Sequence, residues 1–152
     1  MAPIIKVLKE DERFEAQVVV TAQHREMLDQ VLSLFHIRPY KDLNVMMANQ
    51  TLAGLTSRVL TQLDAIFLEE RPDILLVHGD TTTFTAALAA FYHQIPIGHV
   101  EAGLRTWEKY APFPEEMNRQ MTDDLADLYF APTEESKQNL LVENHPVGTA
   151  RS

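Results

Sequence analysis

The chain has 152 residues, of which 45% are hydrophobic, which suffices for one domain with a sizeable core but is too short for two full domains. A net charge of −9, with no basic run, argues against nucleic acid or an anionic membrane as the main partner. The absence of cysteine excludes disulfides and thiolate metal sites, and no apolar stretch approaches the roughly 18 residues of a membrane helix. We therefore expect a cytoplasmic protein.

Apolar residues recur at helical and at strand spacing, and the two spacings alternate along the chain. The pattern predicts helices at 2–10, 24–35, 50–70, 81–91, about 115–126 and 134 to about 142. It predicts strands at 16–21, 74–78, within 95–101 and at 128–131, with a possible short strand at 42–45. Strands that alternate with helices are typical of an α/β fold with a doubly wound parallel sheet.

Two carboxylates follow directly after two buried-strand patterns. Asp80 ends the segment ILLVHGD, and Glu101 ends the segment IPIGHVE. In an open parallel sheet the carboxyl ends of the strands border the ligand crevice, so both acids are candidates for chemistry on a substrate. Asp80 could instead cap the helix that begins at Thr81, since aspartate is a favoured N-cap residue. Glu101 precedes Ala102 and Gly103, where no helical pattern begins, so capping offers it little alternative role.

The chain opens on a helix, whereas a doubly wound domain normally opens on a strand followed by a ligand-binding loop. In the commonest strand order that first strand is central, so the strands at 16–21 and 74–78 would each lose a neighbour. Unpaired buried backbone groups cost about 1 to 3 kcal/mol each, against a domain stability of about 5 to 15 kcal/mol. We expect that the chain lacks its first strand, and that alone it is inactive and forms no stable monomer.

Five segments together carry a resemblance to a known family. They are VTAQHREMLDQVL, VHGDTTTF, AAFYHQIPIGHVEAGLRT, PFPEEMNRQMTD and FAPTEESKQNLL. From about residue 1 to 146 the chain resembles bacterial non-hydrolysing UDP-N-acetylglucosamine 2-epimerases. The resemblance implies the N-terminal half of two Rossmann-like domains in the glycosyltransferase-B arrangement, with the C-terminal domain absent and a homodimer as the complete enzyme. Residues 147–152 leave the family pattern and are expected to be a non-matching tail.

The resemblance also implies a reaction. The family interconverts UDP-N-acetylglucosamine and UDP-N-acetylmannosamine, for cell-envelope polysaccharides, by eliminating UDP and adding it back with C2 inverted; no cofactor is implied. Such chemistry needs positioned acids and bases, which carboxylates can provide. By resemblance Asp80, Glu101 and Glu115 are the catalytic carboxylates, with the base left unassigned. From the sequence alone, Glu115 and Glu116 could instead stabilise the dipole of a helix that starts near Pro114.

Other polar residues are candidates for binding rather than catalysis. Arg105, Asn118 and Arg119 lie in the same region and are our candidates for substrate binding. Arg105 could orient a carboxylate or contact phosphate, although an exposed, solvated arginine fits the sequence nearly as well. The resemblance further implies a regulatory site for a second UDP-N-acetylglucosamine, and the matching residues here are Gln23, Gln50 and Glu116. Ordinary surface glutamines are the alternative, and Asn49 stands where the family often has arginine.

The histidines show no metal-binding spacing, so we expect no metal site. His78 and His99 are expected to be hydrogen-bonded core groups. A nicotinamide dehydrogenase is excluded because none of the five glycines forms the Gly-x-Gly-x-x-Gly pattern. A hydrolysing 2-epimerase or another glycosyltransferase-B-type enzyme stays open because fold does not determine the reaction. A non-catalytic fragment is the remaining alternative.

Overall fold

The computed structural model describes residues 1–21, 25–47 and 49–146, together with the backbone of residues 150 and 151. By its internal contacts the chain divides into two compact units, residues 1–55 and residues 56–152. Within the described residues, no helix is long and apolar enough to cross a membrane.

The first unit combines short helices with a small parallel sheet. Helix α1 spans Ala2–Glu10 and α2 spans Arg25–Leu34, while strand β1 (Val19–Val20) pairs in parallel with β2 (Lys41–Asp42). The buried apolar side chains of this unit include Val20, Ile37, Leu43 and Val45. Helix α3, Leu52–Glu70, begins in the first unit and continues into the second.

The helices of this unit were predicted more accurately than its strands. The prediction of a helix at 2–10 is confirmed, and the helix predicted at 24–35 is observed from residue 25 to 34, with residue 24 outside the described part. The strand predicted at 16–21 is only two residues long, and the one predicted at 42–45 is instead Lys41–Asp42. A strand is only as long as the stretch over which it pairs with its neighbour, and β1 and β2 pair over two residues each.

The second unit is built on a parallel sheet with the strand order β3-β4-β5-β6. Its strands are β3 (Leu75–His78), β4 (Ile97–Val100), β5 (Leu128–Phe130) and β6 (Ala150–Arg151). The helices between them are α4 (Thr81–Tyr92), α5 (Glu115–Leu125) and α6 (Glu134–Val142). The expected α/β class with parallel strands joined by helices is confirmed. Strand β6 was not predicted, because it lies in the polar segment that we expected to be a tail.

Small side chains let α4 pack closely on the sheet. Ala87, Ala89 and Ala90 of this helix are buried, and α4 packs against β3, β4 and α5. Buried apolar residues of α3 and β4, among them Phe67 and Ile97, complete the interior. Among the described residues, β3 pairs with β4 alone and β1 pairs with β2 alone.

Candidate functional site

The carboxyl ends of β3 and β4 carry the two acids expected there. The strands are adjacent and parallel, with His78 opposite Val100 in their register. Asp80 follows β3 after Gly79, and Glu101 follows β4 directly. Because carboxyl ends of neighbouring parallel strands meet at one edge of a sheet, Asp80 and Glu101 lie at the same edge.

Asp80 occupies the N-cap position of α4 without acting as its cap. Within the described residues, its carboxylate accepts no capping hydrogen bond, so the capping interpretation is wrong for this side chain. Its Oδ1 lies 3.7 Å from Nη1 of Arg119. Burial raises the pKa of Asp80, the charge of Arg119 opposes that rise, and the negative charges of Glu115 and Glu101 add to it. Asp80 can therefore carry a proton more readily than an ordinary aspartate.

Glu101 is held in a backbone conformation that glutamate rarely adopts. Its φ is +72°, in the left-handed region, and its N–H donates to the carbonyl of Phe130 at 3.0 Å. A side chain in this region costs roughly 1 to 3 kcal/mol, which the surrounding structure must offset. The side chain is 46% exposed, and Oε2 lies 3.2 Å from Nε2 of His78. The geometry therefore presents the carboxylate of Glu101 to solvent beside an imidazole.

The two histidines near the ends of β3 and β4, His78 and His99, differ in burial. The prediction that His99 is a hydrogen-bonded core group is confirmed, since it is buried and its Nδ1 lies 2.5 Å from Oδ1 of Asp123. The same prediction is wrong for His78, whose side chain is 38% exposed. Burial is the main cause that lowers the pKa of His78, against the opposing charge of Glu101. At neutral pH the imidazole of His78 is therefore neutral.

Helix α5 brings the third acid to the same place. Glu115 is the first residue of α5, and α5 packs against α4 and β4. The negative charge of Glu115 raises the pKa of Asp80, so the two carboxylates are electrostatic neighbours. Glu115 and Glu116 both lie in the first turn of α5, where their charges also favour the helix dipole. The structure thus places Glu101 and Glu115 close enough to Asp80 for their charges to raise its pKa.

Two further residues of α5 connect this helix to the start of α4. The side-chain amide of Asn118 donates to Oγ1 of Thr81 at 3.3 Å, and the guanidinium of Arg119 lies between Asp80 and Glu116. Nη2 of Arg119 is 2.8 Å from Oε2 of Glu116. Arg119 therefore contacts two carboxylates, and Asn118 contacts the residue that follows Asp80.

Glu116 is enclosed by hydrogen-bond donors. It is fully buried and accepts from the backbone N–H groups of Thr106 and Trp107 and from the side chains of Arg119 and Gln120. Burial opposes ionisation, but these four donors outweigh it and lower the pKa of Glu116 to about 2. The carboxylate therefore fixes the loop at residues 106 and 107 to α5.

Arg105 is not the exposed arginine that the sequence allowed. Its side chain is fully buried, with Nη2 at 2.7 Å from Oδ2 of Asp123 and at 2.5 Å from Oε2 of Glu143. Burial alone would lower the pKa of Arg105, but the two carboxylates raise it above its ordinary value. From the sequence, Arg105 could orient a carboxylate or contact phosphate. Its contacts fit the first of these roles, with Asp123 and Glu143 as the carboxylates.

Asp123 is the residue of this region that sequence reasoning missed. It is fully buried and accepts from the backbone N–H of Gly103, besides its contacts with His99 and Arg105. Burial opposes ionisation, yet His99 and Arg105 together lower the pKa of Asp123. The sequence did contain one indication of this residue. Asp123 lies seven residues after Glu116 and hence on the same face of α5.

The residues expected at a regulatory site lie in different parts of the chain. Gln23 lies outside the described residues, and Gln50 belongs to the first unit, where its Oε1 accepts from the N–H of Met47 at 3.3 Å. Asn49 has a φ of +59°. Glu116 belongs to the second unit. Across the described part of the chain, no group of three or more His, Asp or Glu residues is arranged to hold a metal ion.

Comparison with known sequences identifies the family. The family model described as UDP-N-acetylglucosamine 2-epimerase matches residues 6–149, and so extends past the expected boundary at residue 146. A UDP-N-acetylglucosamine 2-epimerase of Bacillus subtilis (strain 168) is 62% identical over 145 residues, which are 95% of this chain and 38% of that protein.

Solved structures give the same result for the fold. The UDP-GlcNAc 2-epimerase of Neisseria meningitidis bound to UDP-GlcNAc matches 99% of this chain with a TM-score of 0.95 and 52% identity, over 41% of its own length. The UDP-GlcNAc 2-epimerase of Methanocaldococcus jannaschii in complex with UDP-GlcNAc and UDP matches 99% of this chain with a TM-score of 0.90 and 32% identity, over 41% of its length.

The chain spans about 38% of the length of the curated relative from Bacillus subtilis. The family match nevertheless covers most of the chain, including the ends of β3 and β4 and all of α5. With this family match and its parallel α/β fold, the chain belongs to the UDP-N-acetylglucosamine 2-epimerase family.

Proposed function

We propose that this chain supplies the acid and base groups of an enzyme that interconverts UDP-N-acetylglucosamine and UDP-N-acetylmannosamine. One observation carries the proposal: Asp80 and Glu101 end adjacent parallel strands, and Glu115 lies near enough to raise the pKa of Asp80. Family membership supplies the substrate class, since relatives have been solved with UDP-GlcNAc bound. Because the relatives are longer than this chain, the activity is that of a longer enzyme containing this domain.

The reaction requires proton transfer at an unactivated carbon. The hydrogen at C2 of the sugar has no adjacent carbonyl to acidify it, so inversion proceeds by elimination. Loss of the C2 proton and of UDP from C1 gives 2-acetamidoglucal, and re-addition of UDP at C1 with a proton at C2 gives the inverted sugar. A carboxylate accepts the first proton, and a carboxylic acid can return the second. Asp80, Glu101 and Glu115 are our candidates for these roles.

Asn118 and Arg119 are our candidates for contact with the substrate, because Arg119 lies next to the carboxylate of Asp80 and Asn118 donates to Thr81 at the start of α4. For Arg105 we propose an indirect role, since its buried guanidinium binds Asp123 and Glu143. Three neighbouring carboxylates repel a dianionic pyrophosphate, so the groups that bind UDP belong mainly to other parts of the enzyme. No cofactor and no metal ion is needed for this scheme.

Several expectations from the sequence stay predictions. A regulatory nucleotide-sugar site at Gln23, Gln50 and Glu116 is one of them, and the four hydrogen bonds to Glu116 also suit a purely structural role. A homodimeric complete enzyme, a cytoplasmic location and a role in cell-envelope polysaccharide synthesis are the others. Each follows from the resemblance or from the composition of the chain.

The test is product analysis with the complete enzyme that carries this domain. UDP-N-acetylglucosamine is incubated in D2O, and we expect UDP-N-acetylmannosamine with deuterium at C2. Release of free N-acetylmannosamine and UDP would indicate a hydrolysing 2-epimerase instead. Absence of any change at C2 would contradict the proposed function.

A further inference from the structure

The chain on both sides of Glu101 is attached to one buried carboxylate. Oδ1 of Asp123 lies 2.5 Å from Nδ1 of His99, and Oδ2 accepts from the N–H of Gly103 at 3.1 Å. His99 is two residues before Glu101, and Gly103 is two residues after it. Asp123 thus joins the end of β4 and the turn that follows to the interior side of α5.

The turn held in this way is strained. Glu101 has a φ of +72°, which is unfavourable for a residue with a side chain. Such a conformation persists only where the surrounding structure imposes it. The attachments of His99 and Gly103 to Asp123 lie on either side of the strained residue, so they oppose its relaxation to a negative φ.

The charge of Asp123 strengthens both attachments. The guanidinium of Arg105 lies 2.7 Å from Oδ2, and with His99 it keeps this buried acid ionised. Hydrogen bonds to an ionised acceptor are shorter and roughly twice as strong as neutral ones. Glu143 accepts from Nε and Nη2 of the same guanidinium, so Arg105 is itself held in place.

We infer that Asp123 is a positioning residue for Glu101, acting through His99 and Gly103 to direct the Glu101 carboxylate toward the substrate. This inference rests on the proposed function for its catalytic consequence. Its structural part, the retention of the turn at residues 101–106, can be measured independently of any activity.

The same strand offers a matched control. Oδ2 of Asp127 accepts from the backbone N–H of Ile97 at 2.8 Å, at the opposite end of β4 from Glu101. Asp127 therefore also anchors β4 through a backbone amide, but it does so away from the carboxylates. Replacing Asp127 tests the loss of an anchor without disturbing the turn.

The experiment compares Asp123→Asn with Asp127→Asn in the complete enzyme. A displacement of about 1 Å can cost about 100-fold in rate, so for a partly released turn we expect kcat to fall about tenfold in Asp123→Asn. We expect KM to change by less than about twofold, because the lost interaction acts on the reacting group and not on overall binding. Asp127→Asn should keep kcat within about twofold. Amide hydrogen exchange at residues 101–106 should become faster in Asp123→Asn only.

Equal kcat values in the two variants would overturn the inference. If the unchanged enzyme does not turn over UDP-N-acetylglucosamine, the proposed function fails, and hydrogen exchange alone decides the positioning role. Unaltered exchange at residues 101–106 in Asp123→Asn would then overturn it.

If Asp123→Asn does not fold, a second variant replaces it. His99→Gln removes one attachment while leaving the Arg105 ion pair, and unchanged kcat and exchange in that variant would overturn the inference.

Discussion

The carboxyl edge of the sheet contains two layers of acids that differ in their exposure to solvent. The outer acids, Asp80, Glu101 and Glu115, are partly exposed, and the inner acids, Glu116 and Asp123, are fully buried. Burial raises the pKa of Asp80, whereas the inner acids have lowered pKa values because several donors surround each of them. The comparison shows that the number of donors, and not burial alone, determines which acids stay ionised. The partly exposed outer acids are the ones that we propose for the chemistry.

The largest effect should come from removing an outer acid. In the complete enzyme, Asp80→Asn or Glu101→Gln should lower turnover by about 10² to 10⁴, the usual contribution of a positioned acid or base. Stability should change little, because neither side chain is a saturated hydrogen-bond acceptor. Turnover assays combined with urea titration check both points, and near-normal turnover of either amide would remove that residue from the catalytic set.

The next largest effect should be a loss of stability when the close packing of Gly103, in the turn after Glu101, is disturbed. A Cβ at Gly103 would lie 2.1 Å from the backbone oxygen of Ser136, and its φ is +83°. Gly103→Ala should therefore destabilise the protein by about 3 kcal/mol or more, from overpacking and backbone strain together. Gly54→Ala is the control, since a Cβ there would meet only the hydroxyl of Thr51 at 3.3 Å in a helix. Equal urea midpoints for the two variants would be evidence against a tightly packed turn.

Removing the charge of an inner acid should cost stability in a pH-dependent way. Glu116→Gln should lose about 2 kcal/mol at neutral pH, because an amide accepts more weakly and its NH2 group opposes Arg119. The folded pKa of Glu116 is lowered from 4.5 to about 2. Its stabilisation is therefore complete above pH 4.5 and is lost as the pH falls toward 2. Urea titration at several pH values should show the variant approaching the parent at low pH, and a constant difference would contradict this assignment.

The smallest effect should come from the imidazole next to Glu101. His78→Ala removes a partly exposed contact of 3.2 Å between a neutral imidazole and the Glu101 carboxylate, and because such a neutral contact contributes about 0.5 to 1 kcal/mol, kcat should fall by about two- to fivefold. His93→Ala is the control, since it removes the similar pair of His93 with Asp64 at 2.7 Å, outside the carboxylate cluster. If both variants lost the same fraction of kcat, His78 would have no particular effect on Glu101.

Two of the three outer acids, Asp80 and Glu101, were candidates from the residue pattern, Glu115 was a candidate only by family resemblance, and most of the inner layer was not predicted. Asp80 and Glu101 follow apolar runs that are recognisable as strands, and the edge where such strands end is a general property of parallel sheets. Asp123 and Arg105 acquire their roles from contacts with residues that are 18 to 38 positions away in the chain. Local patterns do not encode such contacts. Strand β6 was missed for a related reason, because only pairing with β5 defines it.

The most direct test of the two-layer account is an NMR titration of aspartate carboxyl carbons in the complete enzyme, with Asp80 and Asp123 assigned from their asparagine variants. The account predicts that Asp80 takes up its proton above the ordinary aspartate value of 3.8, because burial and the other outer acids disfavour its charge. It predicts that Asp123 remains ionised below that value, because His99 and Arg105 hold the charge. Titration of both carboxyls at the same pH, or in the reverse order, would contradict the division into outer and inner acids.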